Sequence, residues 1–308
     1  MIIMKKKFSL ILVISIILLI ITAFVILICT RTNNLKVISI NKHYSILYVN
    51  EPEIEISLYS NHQNSKYLKT DKVEAAQLYN ENDLFNVRIT EIRDTGNSIT
   101  YQNTPFYEHK LLIKLDVTSD QLINMNNTNL RIEFNTNEKI EVKVGNISFF
   151  KQTNENNINI QKVQGIVNDF GIYQSLSAVK LRISSSNDCK ITNIFLVSPS
   201  LTINYSKLLF ADEIECEHNT PAKDIFGNDF DNFINNKGSF TEINLFKNIE
   251  KDVIIPLHYS EKELVDSIGI IIEYLINGVS YRQTINPYRL FNTTDLEYFI
   301  DEYRIINN

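Results

Sequence analysis

The densest group of ligating and titratable side chains in the sequence is Asp212-Glu213-Ile214-Glu215-Cys216-Glu217-His218. On a strand, successive side chains point to opposite faces, so Glu213, Glu215 and Glu217 would share one face. Three carboxylates offer the oxygens that a hard cation such as calcium requires. Asp229 and Asp231, with Asp224 and Asn228, sit in the stretch that follows and would add more. That spacing is not an EF-hand, and carboxylates adjacent on one strand face diverge toward solvent. The group therefore reads as an acidic face that blunts an exposed edge. Glu213, Glu215, Glu217, Asp229 and Asp231 are where a metal would be sought first, and no cofactor is expected.

Other chemistry is sparse. The sequence has no GxSxG, HExxH, GxGxxG or Walker A pattern. Ser-x-x-Lys occurs at Ser39–Lys42 and at Ser177–Lys180, both within β-patterned sequence and without Lys-Thr-Gly. The five histidines, His43, His62, His109, His218 and His258, form no i, i+2 or i, i+4 pair. A catalytic histidine needs an orienting partner. Cys189 and Cys216 read as two separate thiols, with a disulfide as the alternative. The expected class is non-enzymatic. Aromatics supply the other candidate site. Tyr101 and Tyr107 flank Pro105, and Tyr288 adjoins Pro287, in stretches read as loops. Loop tyrosines grip sugars or protein partners through a flat ring and a polar tip.

Elements of mostly one kind must position these residues. Glu53–Leu58, Phe85–Ile89, Leu111–Val117, Leu130–Phe134, Ile140–Val144, Val179–Ile183 and Val253–Tyr259 alternate apolar with polar, the mark of half-buried strands. At Gly145 the phase shifts, which predicts a bulge or bend. Pro256 suggests that Val253–Tyr259 is an edge strand. Ile268–Ile276, Asn277-Gly278 and Val279–Ile285 spell a hairpin with a type I′ turn. Helical turns are expected at Val73–Tyr79, at Ser119–Met125, after Ser260 and in a short C-terminal helix. The last two begin with the capping boxes Ser260–Glu263 and Thr294–Glu297. The pattern predicts a mainly β, antiparallel sandwich ectodomain. Its Leu111–Val197 block resembles a jelly roll and its last part resembles an Ig-like domain.

One segment differs from all of this. Phe8–Thr30 carries no charge, follows Lys5, Lys6 and Lys7, and precedes Arg31. A membrane span needs about 20 apolar residues. The basic flank predicts a cytoplasmic N-terminus, with the bulk of the chain outside. A signal anchor at 8–30 is therefore expected, after a cytoplasmic tail at 1–7. A cleaved signal peptide or lipidation at Cys29 are the alternatives, and both want smaller residues than Leu27 and Ile28. The division expected beyond the anchor is one sandwich at 31–200 and a second at 201–308. Before Arg31 lie three of the 30 Lys and Arg and none of the 36 Asp and Glu, so the remainder has 27 cations against 36 anions, a net −9. That balance argues against nucleic acid as a partner. The partners expected are the membrane and a surface protein or glycan. The predicted function is a binding or accessory protein of the cell envelope. The alternatives are a surface enzyme acting on wall glycan and an accessory of an export or signalling complex.

Overall fold

The computed structural model describes residues 20–22, 35–63, 65, 68–116, 122–136, 138–153, 155–169, 174–234, 238–260, 263–289 and 300–303. Residues 1–36 and Val37–Asn308 are separate units. In the first, Ile20–Thr22 are helical, and the rest of the expected anchor lies outside the described residues, as does Cys29. Among the described residues no helix is long and apolar enough to cross a membrane.

Where apolar and polar residues alternate, the second unit forms strands. These are β1 (Val37–Ile40), β2 (Lys42–Tyr48), β3 (Glu53–Ser60), β4 (Val73–Tyr79), β5 (Leu84–Tyr101), β6 (Thr104–Leu115), β7 (Ile123–Phe134) and β8 (Lys139–Lys151). They continue as β9 (Ile158–Asp169), β10 (Gln174–Ser185), β11 (Cys189–Val197), β12 (Leu201–Ile203), β13 (Leu209–Ala211), β14 (Thr220–Pro221), β15 (Ile243–Leu245), β16 (Lys251–Tyr259), β17 (Ser267–Ile276), β18 (Val279–Arg289) and β19 (Ile300–Tyr303). One short helix, α1 (Ala222–Phe226), follows β14.

The strands up to β8, with β19, make a nine-stranded sheet in the order β19-β1-β3-β6-β5-β4-β7-β8-β2. β1, second from one end, is joined by Asn41 alone to β2 at the other end. The sheet therefore curls back on itself, and Ser39 Oγ donates to Lys143 O on β8 at 2.6 Å. Ile54, Ile56, Leu111, Ile113, Leu130, Ile132, Ile140 and Val142 are buried, each one residue away from a more polar neighbour.

The remaining strands form a second pair of layers. One sheet has the order β12-β16-β10-β9-β14, with β13 also on β16, and the other has the order β15-β11-β17-β18. A single buried cluster, with Leu181, Ile183, Val253 and Ile255 from one sheet and Ile191, Leu245, Ile270 and Ile272 from the other, fills the space between them. Strand pairing crosses the join expected at residues 200 and 201. Strands β10 and β11 precede it, yet they pair with β16 and β17 beyond it.

Several local expectations change. Val73–Tyr79 is strand β4, hydrogen-bonded to both β5 and β7. Ladders on both sides override the helix preference of its Glu, Ala and Gln. Ile123–Met125 belongs to strand β7. Glu263 is not helical. Ile300–Tyr303 pairs with β1 as a strand, where a helix was expected, and residues 290–299 lie outside the described residues. The pairing is not wholly antiparallel, because β2 with β8 and β14 with β9 are parallel. Strand β16 is interior. The β13 ladder reaches Ile254, opposite Leu209, and the β12 ladder ends at Leu257, opposite Ile203. Pro256 falls in the gap between them, and its carbonyl accepts Asn204 N–H at 3.0 Å. A strand residue's N and C=O point to the same side, so the missing N–H of Pro256 faces a place with no ladder to break.

Two expectations are matched closely. Asn277 and Gly278 have φ of 49° and 82°, and Ile276 pairs with Val279, as a type I′ hairpin requires. Gly145 has φ 106°, the register of β7 against β8 breaks there, and a side chain at 145 would run into the Lys42 carbonyl of β2. The glycine lets β2 lie against β8.

Candidate functional site

A cleft of about 520 Å³ opens at one side of the two-layered part. It is lined by Tyr205, Leu208, Phe210, Phe240, Thr241, Glu242, Ile243 and Asn244. Phe210 lies on β13, which pairs with β16 of one sheet, and Ile243 lies on β15, which pairs with β11 of the other. The cleft is thus the seam between two sheet edges. Leu208, Phe210, Tyr205 and Phe240 are half-buried against the core below. Thr241, Glu242 and Asn244 are exposed along the rim.

Local chemistry fixes each wall. Asn204 N–H bonds Pro256, and Tyr205 begins a single 3₁₀ turn, Tyr205–Lys207. The Tyr205 hydroxyl donates to Ile194 O at 2.7 Å, which locks the ring, and burial pushes its phenol pKa up. Phe240 meets it edge to face, with centroids 5.7 Å apart and planes at 76°. Gly238, at φ 61°, passes close to Ser206 N and brings Phe240 over Tyr205. Lys251 Nζ stands 5.7 Å from the Phe210 ring centre and is paired with Asp212. Glu242 pairs with Lys190 at 2.9 Å.

A second constellation has the residue types of a hydrolase triad. His43 Nε2 is 3.2 Å from Ser45 Oγ, and His43 Nδ1 is 3.6 Å from Glu263 Oε1. Its geometry is that of a fastener. Ser45 Oγ gives its proton to Val197 O at 2.5 Å, so its contact with His43 is one in which the imidazole donates. A serine whose proton is committed to a carbonyl is not being activated by that histidine. Both side chains are sealed, His43 at 0% and Ser45 at 1% exposure. Glu263 accepts from Asn146 Nδ2 at 2.5 Å and from Ser200 Oγ at 2.6 Å. Burial pulls its carboxyl pKa up, but the neighbouring His43, Ser200 and Asn146 outweigh this and hold it below the ordinary glutamate value. With His43 N–H donating to Leu264 O at 2.7 Å, these groups join β2 and β8 to the start of β17.

The acidic stretch does not converge on an ion. Only Leu209–Ala211 forms a strand there, and Asp212–Glu217 lies outside any strand. Glu213, Glu215 and Glu217 are exposed, with Ile214 and Cys216 turned inward. Beneath them lies a buried pair, Lys180 and Asp252, at 2.9 Å. Lys180 Nζ also donates to Ile214 O at 2.5 Å, and Asp252 Oδ2 accepts Ile214 N–H at 2.8 Å. Asp229 is exposed, and Asp231 Oδ1 accepts Phe233 N–H at 2.8 Å as a local turn. Among the described residues no three His, Cys, Asp or Glu side chains are grouped to hold a metal.

The tyrosines named from sequence lie elsewhere. Tyr101 and Tyr107 lie on strands β5 and β6, joined by a two-residue turn at Gln102 and Asn103. Tyr101 packs edge to face on Phe106 at 6.1 Å, and Tyr107 is half-buried between Ser60 and Ser98. Tyr288 is buried. Its hydroxyl is 3.2 Å from the His218 ring, and burial pushes its pKa up to about 12. Its ring fills the space that a side chain at Gly165 would take. None of the three lines the cleft. Both Ser-x-x-Lys serines are spent on structure, Ser39 on Lys143 and Ser177 on Asn232 Oδ1 at 2.7 Å. Cys189 and Cys216 are free thiols, one in the inter-sheet core and the other against α1.

No known protein family and no curated protein matches the chain. Among solved structures it is similar to the C-terminal domain of the Streptococcus agalactiae AgI/II polypeptide BspA, at 9% identity over 83% of this chain and 99% of that one, with a TM-score of 0.20. The C-terminal domain of the Streptococcus pyogenes antigen I/II-family protein AspA gives 6% identity over 82% and 99%, with a TM-score of 0.20. The enterotoxigenic E. coli adhesin CfaE gives 8% identity over 80% and 96%, with a TM-score of 0.19. Overlap this low assigns neither a fold family nor a function to this chain.

Proposed function

We propose that this chain is a non-catalytic binding protein of the cell envelope. Phe8–Thr30 tethers it to the membrane, the bulk of the chain lies outside, and the cleft between β13 and β15 holds its ligand. The observation that carries the reading is the cleft itself, an aromatic floor under a polar rim at an open sheet seam. A cleft of this size is in the range of small-ligand sites, about 300–1,000 Å³. The rival reading, a glycan hydrolase, needs two carboxyl groups roughly 5–9.5 Å apart facing one substrate. Glu242 is the one carboxylate among the described lining residues, and it is already paired with Lys190.

Incubating the detergent-solubilised full chain with wall polymer tests both readings at once. Retention of polymer without release of new reducing ends is the expected result. Turnover that disappears in Glu242→Gln would replace the binding reading with the enzymatic one.

A further inference from the structure

We infer that the cleft binds uncharged sugar residues of an envelope polysaccharide. The inference rests on the cleft being the binding site. It begins with the two rings at its floor. Tyr205 and Phe240 stand at 76° to each other, with Tyr205 fixed by its bond to Ile194 O and Phe240 packed on it. They make a rigid apolar corner, with the Phe210 ring close by. A pyranose is apolar on its C–H faces and polar around its rim. Such a corner contacts the C–H surface while leaving the hydroxyls free to bond outward.

The rim supplies what those hydroxyls need. Thr241 offers a hydroxyl, and the Asn244 amide offers two donors and an acceptor. Among the described residues neither side chain has a hydrogen-bond partner, and both are exposed at the cleft mouth. Glu242 adds acceptors.

Charge selects against ions. Glu242 is balanced by Lys190, and Lys251, over Phe210, is balanced by Asp212. Among the described residues that line the cleft there is no cation to draw a phosphate or uronate, and the one carboxylate, Glu242, is already paired. The net charge of the whole chain, −6, also disfavours anionic polymers. A lipid tail would want an enclosed apolar cavity, whereas this cleft has a polar, solvent-facing edge.

Saturation-transfer NMR on the full chain in detergent micelles tests the inference with three probes. They are a neutral N-acetylhexosamine tetrasaccharide, a hexuronate tetrasaccharide and a neutral tetrapeptide. The neutral sugar is expected to give contacts, strongest at ring C–H protons, and the hexuronate is expected to bind at least about tenfold more weakly. Phe240→Ala should weaken the neutral sugar about tenfold. Asn244→Leu, on the exposed rim and away from the core, should also weaken it and keeps the test valid if Phe240→Ala misfolds. Peptide contacts that vanish in both variants, with no sugar contact, would overturn the saccharide inference and leave the cleft as the binding site. Sugar contacts unchanged in both variants would overturn the cleft itself. Silence from all three probes would overturn the saccharide inference.

Discussion

His43 Nδ1 lies 3.6 Å from Glu263 Oε1, with His43 sealed from solvent and Glu263 at 8% exposure. This pair sits where the curled nine-stranded sheet meets the two-layered part, so its electrostatics bear on how the two are held together.

Glu263→Gln should cost about 1–3 kcal/mol at neutral pH, because it removes a carboxylate from buried donors that expect one. Glu263 has its pKa lowered in the fold. Its contribution is therefore fully present above the unfolded-glutamate value of about 4.3 and is lost as pH falls through the lower folded value. Urea titrations at pH 7 and in acid should show the gap between wild type and Glu263→Gln shrinking below about pH 4.3. A gap that widens in acid would refute the assignment.

Lys180 and Asp252, at 6% and 0% side-chain exposure, are a buried pair with backbone partners at Ile214. Lys180→Met leaves buried Asp252 with only the more distant Arg182, at 3.8 Å, and should cost about 3–5 kcal/mol. Adding Asp252→Leu should recover a large part of that loss, since an apolar pair of similar volume is often tolerated. Guanidinium unfolding of both single variants and the double variant gives the coupling directly. Additive losses would mean that the two charges do not support each other.

Gly145 and Gly96 both have positive φ, at 106° and 76°, but their surroundings differ. A Cβ at 96 meets nothing, whereas one at 145 meets the Lys42 backbone. Gly96→Ala should cost only about 1 kcal/mol of backbone strain. Gly145→Ala should cost several times more, because β2 must move off β8. Thermal melts of the two variants compare them, and equal shifts would argue against the close approach of β2.

The topology carries its own expectation. Glu81 is exposed in the turn between β4 and β5. Glu81→Cys should react with a membrane-impermeant maleimide on intact cells, as the outward orientation requires. Labelling only after lysis would place the chain on the other side.

What the sequence made legible was local. Asn277-Gly278 announces its hairpin because only left-handed turn residues suit a type I′ turn, and Gly145 announces the bulge through a broken alternation. Val73–Tyr79 misled because its composition favours helix, while its pairing partners Phe85 and Leu130 lie in other strands. The acidic run drew attention because carboxylates are conspicuous, yet its structural content is Ile214, which is gripped by Lys180 and Asp252. The cleft was invisible for a related reason. Tyr205, Phe210 and Phe240 share no period and come together only when β13 and β15 edge opposite sheets. His43 and Glu263 were likewise scattered in the chain, and no spacing rule connects them.

The most direct measurement of the central claim replaces Asn244, on the cleft rim, with a photo-crosslinking residue in living cells. A ligand adduct is expected at position 244 that is lost when Phe240→Ala is added, with no such adduct from the same residue at position 81. Adducts formed equally at 81 and 244, or unaffected by Phe240→Ala, would contradict it.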